Sequence, residues 1–282
     1  MNTDDLKSFH YLENGEIDFS LFDTVRTEKR LDEGSYRLNA VQAPNGAWKI
    51  KLSVNEDKET VKIHDFPQKE KIDNLVDSFF KPEVFKKIHD LGLYHKLGFL
   101  FYGREGTGKT TTMKYYASKA VEASNALVLY MDCYVNQLSM CWNFVRSVRK
   151  IQDNPIVIVF DEFEHMATCN ESLIKSIFDG NQSIDNCMFL ASTNYIDKVP
   201  NAIKDRPSRF KYQINIEEIN DVDYITLLVE NMLGDTLNKK DIKAMAKSFK
   251  GKTLDTIKQS CIDRIMDIET YETKEKKIGF NS

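Results

Sequence analysis

The apolar positions divide the chain into three stretches of different rhythm. Between residues 35 and 64, Trp48, Ile50, Leu52 and Val54 alternate with Lys49, Lys51 and Ser53, the two-residue period of a half-buried strand. Asn45-Gly46 supplies a hairpin turn before it, Tyr36, Leu38 and Ala40 mark a preceding strand, and Val61 and Ile63 suggest a third. Three short strands bury little by themselves, so this small β-rich piece must lean on residues 1–30, on the next domain or on a partner. Residues 65–71 read as a linker, after which Ile72, Leu75, Val76 and Phe79 mark a helix ending near Pro82, and Pro82 opens a second helix. From residue 98 the rhythm changes to apolar runs at 99–102, 127–131, 156–160, 188–191 and 212–216, separated by helical stretches. Four of the runs are continuous, as in strands buried on both faces of a parallel sheet, whereas the fifth alternates like a less covered strand. Beyond residue 217 the strands stop. Ile225, Leu228, Val229 and Met232, then Ile242, Met245 and Ala246, then Leu254, Ile257, Cys261, Ile265 and Ile268 give three amphipathic helices. The predicted organisation is a β-rich N-terminal domain over 1–66, an α/β domain over 67–216 with a five-stranded parallel sheet, an α-helical lid over 217–273 and a tail over 274–282.

Composition narrows the classes. With 41% hydrophobic and 29% charged residues among 282, the chain reads as an ordinary globule, and no apolar run approaches the ~18 residues of a membrane span. The acidic start, Met1-Asn2-Thr3-Asp4-Asp5, lacks the blocks of a signal peptide, so a cytoplasmic location is expected. Five cysteines without a C-x-x-C pair are expected to be reduced packing residues, and the five scattered histidines lack zinc-ligand spacing. A net charge of −4 provides no general attraction to nucleic acid.

The chemistry is concentrated at the ends of the apolar runs. Gly103-Arg104-Glu105-Gly106-Thr107-Gly108-Lys109-Thr110 fits G-x-x-x-x-G-K-[ST] between an apolar run and a helical stretch that continues through Thr111. Glycines at Gly103, Gly106 and Gly108 let the backbone N–H groups of Glu105, Thr107 and their neighbours curl around phosphate oxygens. Lys109 would bridge the β- and γ-phosphates of ATP, and the Thr110 hydroxyl would ligate Mg²⁺. The run 156–160 ends in Asp161-Glu162, 52 residues past Lys109. Asp161 there is suited to hold the Mg²⁺ shell, through water, and Glu162 to orient or deprotonate the attacking water. The run at 188–191 continues through Ser192-Thr193 to Asn194, whose amide donates and accepts at once. Arg206 and Arg209 flank Pro207-Ser208 and are candidates either for surface charge or for neutralising a transition state.

The order of these motifs, with the turn Arg206-Pro207-Ser208-Arg209-Phe210, resembles an AAA+ ATPase of the classical AAA group over about residues 70–270. The resemblance implies a parallel-sheet P-loop core followed by a helical lid. It implies rings, usually hexamers, with ATP at each interface, sensor-1 Asn194, and Arg206 and Arg209 reaching the neighbour's γ-phosphate as arginine fingers. Three departures stand out. The loop carries Arg104-Glu105 where the group has a proline pair; the lid stretch 250–255 has no arginine; and no aromatic–hydrophobic–glycine pore loop follows the second run, leaving Tyr134 and Trp142 as candidates for gripping a substrate.

Three classes of function follow: a ring ATPase that remodels or unfolds a macromolecular client, an ATP-gated loader or switch acting on a protein or DNA-bound complex without threading, and a small-molecule kinase. The kinase is weakest, because it has no need of the Glu162, Asn194, Arg206 and Arg209 set. Partners are expected to be other copies of the chain and a protein client, with no membrane.

Overall fold

A computed structural model describes residues 9–11, 16–18, 26–43, 45–55, 63, 66 and 68–266. In chain order the first elements are β1 (Phe9–Tyr11), β2 (Glu16–Asp18), β3 (Arg26–Glu28), β4 (Gly34–Gln42), β5 (Trp48–Val54), α1 (Lys69–Phe79), α2 (Pro82–Asp90), β6 (Lys96–Tyr102) and α3 (Lys109–Ser124). Then come β7 (Leu127–Met131), α4 (Leu138–Ile151), β8 (Ile156–Phe160), α5 (Phe163–Cys169), α6 (Glu171–Asp179), β9 (Cys187–Thr193), α7 (Asn201–Lys204) and β10 (Tyr212–Asn215). The last three are α8 (Val222–Leu233), α9 (Lys239–Ser248) and α10 (Leu254–Ile265). They belong to two compact units, one built from Met1–Lys62, Gln68–Gly103 and Thr110–Asn215, the other from Ile63–Pro67, Arg104–Lys109 and Ile216–Ser282.

The first unit carries the sheet. Its strands run in the order β10-β6-β9-β8-β7-β4-β5-β2-β1-β3, and every neighbouring pair from β10 to β7 is parallel. Those are the five apolar runs of the sequence. β8 and β9 are buried at every position, as strands covered on both faces must be. The core also takes in Trp142, Phe144 and Val145 of α4 and Ile174, Ile177 and Phe178 of α6.

The N-terminal strands do not stand apart from this sheet. β4 pairs in parallel with β7, from Gly34 opposite Leu127 to Leu38 opposite Met131, and β5 returns antiparallel against β4. The physical reason is the open edge: β7 would otherwise present an unpaired ladder, and β4 supplies it with partners while burying Tyr36, Leu38 and Ala40. The apolar face of β5 is covered only in its middle, with Leu52 fully buried but Trp48 and Val54 48% and 47% exposed. The hairpin closes through Ala43 N to Ala47 O at 2.7 Å and Gly46 N to Ala43 O at 2.8 Å, with Gly46 at φ 80°. Of the third strand expected around Val61 and Ile63, Val61 lies outside the described residues and Ile63 is in no strand. Ile268 and the tail 274–282 also lie outside them.

The second unit is helical. α8, α9 and α10 enclose Ile225, Val229, Leu233, Ile242, Ala246, Leu254, Ile257 and Cys261. Each helix is started by a side-chain cap, Asp221, Asn238 and Thr253 respectively, accepting from backbone N–H groups of the first turn. Among the described residues no helix is long and apolar enough to cross a membrane. All five cysteines are free, but only four are packing residues, since Cys169 is exposed.

Candidate functional site

Strand register builds the first cluster. Phe160 lies opposite Ala191 in the β8–β9 ladder, so the next residue along, Asp161, comes beside Ser192. The Ser192 hydroxyl donates to Asp161 Oδ1 and accepts from the Glu162 backbone N–H at 3.3 Å. Thr110 Oγ1, in the first turn of α3, donates to Asp161 Oδ2 at 2.9 Å and lies 3.3 Å from Oδ1. Asp161 and Glu162 are exposed. Both partners of Asp161 are neutral hydroxyls, which orient the carboxylate without cancelling its charge. A carboxylate and a hydroxyl are hard oxygen donors that fit Mg²⁺. Among the described residues no three His, Cys, Asp or Glu side chains gather as a metal cage.

Glu162 sits between β8 and α5 at φ 49°, ψ 50°. The left-handed region costs a residue with a side chain about 1–3 kcal/mol, and such outliers concentrate at functional positions. Asn194 follows β9 as Asp161 follows β8, so both stand outside the carboxyl ends of adjacent parallel strands, where open α/β sheets bind ligands. Asn194 is half-buried, beside an ST turn in which Thr193 Oγ1 accepts from Tyr195 N at 3.0 Å.

The loop 104–109 belongs to the second unit. Thr107 Oγ1 and Lys109 Nζ both donate to the Arg104 carbonyl, at 2.9 and 2.7 Å, and both residues are buried. Gly106 and Gly108 hold φ of 75° and 101°, the left-handed region that glycine enters at little cost. A Cβ on Gly106 would lie 3.1 Å from Asp255 Oδ2, and Asp255 N donates to the Gly106 carbonyl at 3.1 Å. The start of α10 therefore touches the loop through an acid, a contact the sequence reading did not find. Arg104 and Glu105 are exposed, with Arg104 3.1 Å from Glu218. Gly103 directly follows β6, and Thr111, in α3, is half-buried.

The two arginines part company. Arg206 keeps 61% of its side chain exposed, 3.3 Å from Asp179 Oδ2. Arg209 is 4% exposed, bonds Asp179 Oδ2 through Nε at 2.6 Å and donates from Nη1 to the Ala202 carbonyl. Both were expected to reach outward; Arg209 is bound within its own chain because a buried guanidinium needs its donors satisfied. The aromatics separate in the same way. Trp142 is fully buried, with its indole N–H on the Gln182 carbonyl at 2.9 Å, which corrects its candidacy as a gripping residue. Tyr134 is 78% exposed and lines an open cleft of about 910 Å³ with Trp48, His165 and Cys169.

The family model described as "ATPase family associated with various cellular activities (AAA)" matches residues 99–218. Vesicular-fusion protein SEC18 of Saccharomyces cerevisiae is 24% identical over 69% of this chain and 30% of its own length. Proteasome-activating nucleotidase of Saccharolobus islandicus is 27% identical over 65% of this chain and 50% of its own. The chain thus spans half or less of the length of these relatives. Among solved structures, the FIGL-1 AAA domain in complex with ADP superposes with a TM-score of 0.55 at 19% identity, covering 76% of this chain and 75% of that one, a likeness of fold.

Proposed function

We propose that this chain is an AAA+ ATPase that binds ATP with Mg²⁺, hydrolyses it, and works as a homo-oligomeric ring that remodels or unfolds a protein client. The observation that carries the reading is the pairing of Thr110 with Asp161, because a P-loop hydroxyl held on a strand-end carboxylate is a site for a phosphate-bound divalent cation. Lys109 and the N–H groups of Glu105, Gly106, Thr107, Gly108, Thr110 and Thr111 bind phosphate oxygens, and Thr110 and Asp161 hold the Mg²⁺. When bound, Mg²⁺ supplies Lewis-acid neutralisation of phosphoryl charge. Glu162 takes a proton from the attacking water, Asn194 orients that water, and Arg206 of an adjacent copy neutralises the charge that develops. The N-terminal region 1–66 contributes to client choice. The exposed Tyr134, on the same cleft as the exposed Trp48, favours client handling over loading without threading, since exposed aromatic side chains offer stacking surface to a polymer.

The test separates binding from chemistry. Lys109→Ala is expected to lose ATP binding, whereas Glu162→Gln keeps it and hydrolyses about 10²- to 10⁴-fold more slowly, as read by fluorescent-nucleotide titration and phosphate release. Wild-type hydrolysis by Glu162→Gln would remove Glu162 from its role as base.

A further inference from the structure

β6 leads into the glycine loop at one end and into a different cluster of charges at the other. Lys96 opens the strand and Gly103 directly follows it, which separates the two by about 20 Å at the usual rise per residue. Lys96 borders a cavity of about 300 Å³, walled also by Tyr94, Phe178, Phe189, Lys211 and Tyr212. All of these residues belong to the first unit. Phe178 and Phe189 pack with ring centroids 4.4 Å apart, and Tyr94 is 57% exposed.

Lys96 is half-buried, a setting in which lysine is rarely left without a counter-charge. Its ammonium donates to the Phe178 carbonyl and to Ser183 Oγ, the latter at 2.8 Å. Both acceptors are neutral, and no carboxylate lies within ion-pair distance among the described residues. An ammonium has three donors, so one is left over. Burial pulls the Lys96 amine below its ordinary range, and the fields of Asp179 and Asp185 offset this only in part. Asp179 is itself engaged by Arg209 at 2.6 Å. The second lysine of the wall, Lys211, is exposed and likewise has no carboxylate partner among the described residues. Lys96 lies over the Tyr94 ring at 5.4 Å and Lys211 over the Tyr212 ring at 5.6 Å, contacts that attract an ammonium without cancelling its charge. Arg209 also borders the cavity, but its Nε and Nη1 go to Asp179 and the Ala202 carbonyl.

We propose that this cavity is a ligand site separate from the glycine loop, and that it takes a small organic carboxylate with a flat apolar body. The carboxylate meets Lys96 and Lys211, and the body lies against Phe178, Phe189 and Tyr94. Phosphate is disfavoured because the bidentate grip belongs to guanidinium, and the one guanidinium in the wall is spent on Asp179. A neutral apolar molecule is disfavoured because it would leave the Lys96 ammonium covered and without a counter-charge. The volume, at the low end of ligand pockets, limits the body to about one or two rings.

Indole-3-acetate serves as the probe, titrated into the full chain and read by calorimetry and saturation-transfer NMR. A Kd of about 1 mM or tighter is expected for a molecule of that size. Lys96→Met should weaken it about 10- to 100-fold, the range set by loss of a hydrogen bond to a charged group. Lys96→Gln keeps a donor for the Phe178 carbonyl and should weaken it as much, which separates lost charge from lost fold. Lys211→Ala should weaken it about threefold. Neutral indole-3-ethanol should bind at least about tenfold more weakly than the acid, inorganic phosphate should not displace the probe, and nucleotide affinity should be unchanged in all three variants. The site is overturned by an absence of binding at about 10 mM probe, or by wild-type affinity in both Lys96 variants. Equal binding of the neutral analogue would reduce it to an apolar hollow, and displacement by phosphate would make it an anion site of another class; either result overturns the proposal. Loss of nucleotide binding in the Lys96 variants would overturn its separation from the glycine loop.

Discussion

Asp161 and Asp179 are carboxylates of the same unit, and their partners set them apart. Asp161 is exposed and, among the described residues, bonded to the hydroxyls of Thr110 and Ser192; Asp179 is mostly covered and lies against two guanidiniums. Hydroxyls hold a carboxylate in place and leave its charge available for a cation, whereas guanidiniums consume the charge in structure. The lesson extends to other pairs in the molecule: Arg209 against Arg206, and Trp142 against Tyr134. In each, the member whose polar atoms are satisfied internally supports the fold, and the exposed member is left to meet something else.

The contrast is breakable. Arg209→Met is expected to destabilise by about 3–5 kcal/mol, because it removes the buried partner of Asp179 and leaves that carboxylate to the exposed Arg206, while Arg206→Ala stays within about 0.5 kcal/mol; denaturant unfolding measures both. Equal stabilities would erase the distinction between the arginines. Trp142→Ala should cost about 3–5 kcal/mol by opening a core cavity. Next in size, Asp161→Asn should raise the Mg²⁺ concentration that half-saturates nucleotide binding by about 10- to 100-fold, with little change in stability. An unchanged Mg²⁺ requirement would remove Asp161 from the cation. Smallest in stability is Tyr134→Ala, within about 0.5 kcal/mol; its effect should appear as ATP hydrolysis uncoupled from client processing.

Much of this was legible in the residues. Continuous apolar runs marked β6 to β9, and the alternating fifth run marked β10, because burial on both faces, or on one, writes itself into local composition. That the glycine loop 103–110 and Asp161-Glu162 follow strands was legible from their places at run ends, and the Thr110–Asp161 bond brings the two segments together. The joining of β4 to β7 was not, since alternation reports a half-covered strand and says nothing of which neighbour covers it. Ser192, just past an apolar run, gave no sign of its role in the sequence; only the β8–β9 register brings it to Asp161. Asp179 was equally hidden, although an acid closing a helix is a local conflict that asks for a distant cation. Nor did the sequence distinguish Arg206 from Arg209, three residues apart on one turn, because which of them faces inward depends on Asp179 and Gly98 from other elements.

The central claim, that each nucleotide site is completed by a second copy of the chain, is tested most directly by wild-type ATPase activity per subunit measured across a protein dilution series, with oligomer fraction read in the same samples by mass photometry. The account predicts that activity per subunit rises with the assembled fraction and levels off when assembly is complete. Activity per subunit that stays constant while the protein passes from monomer to oligomer would contradict it.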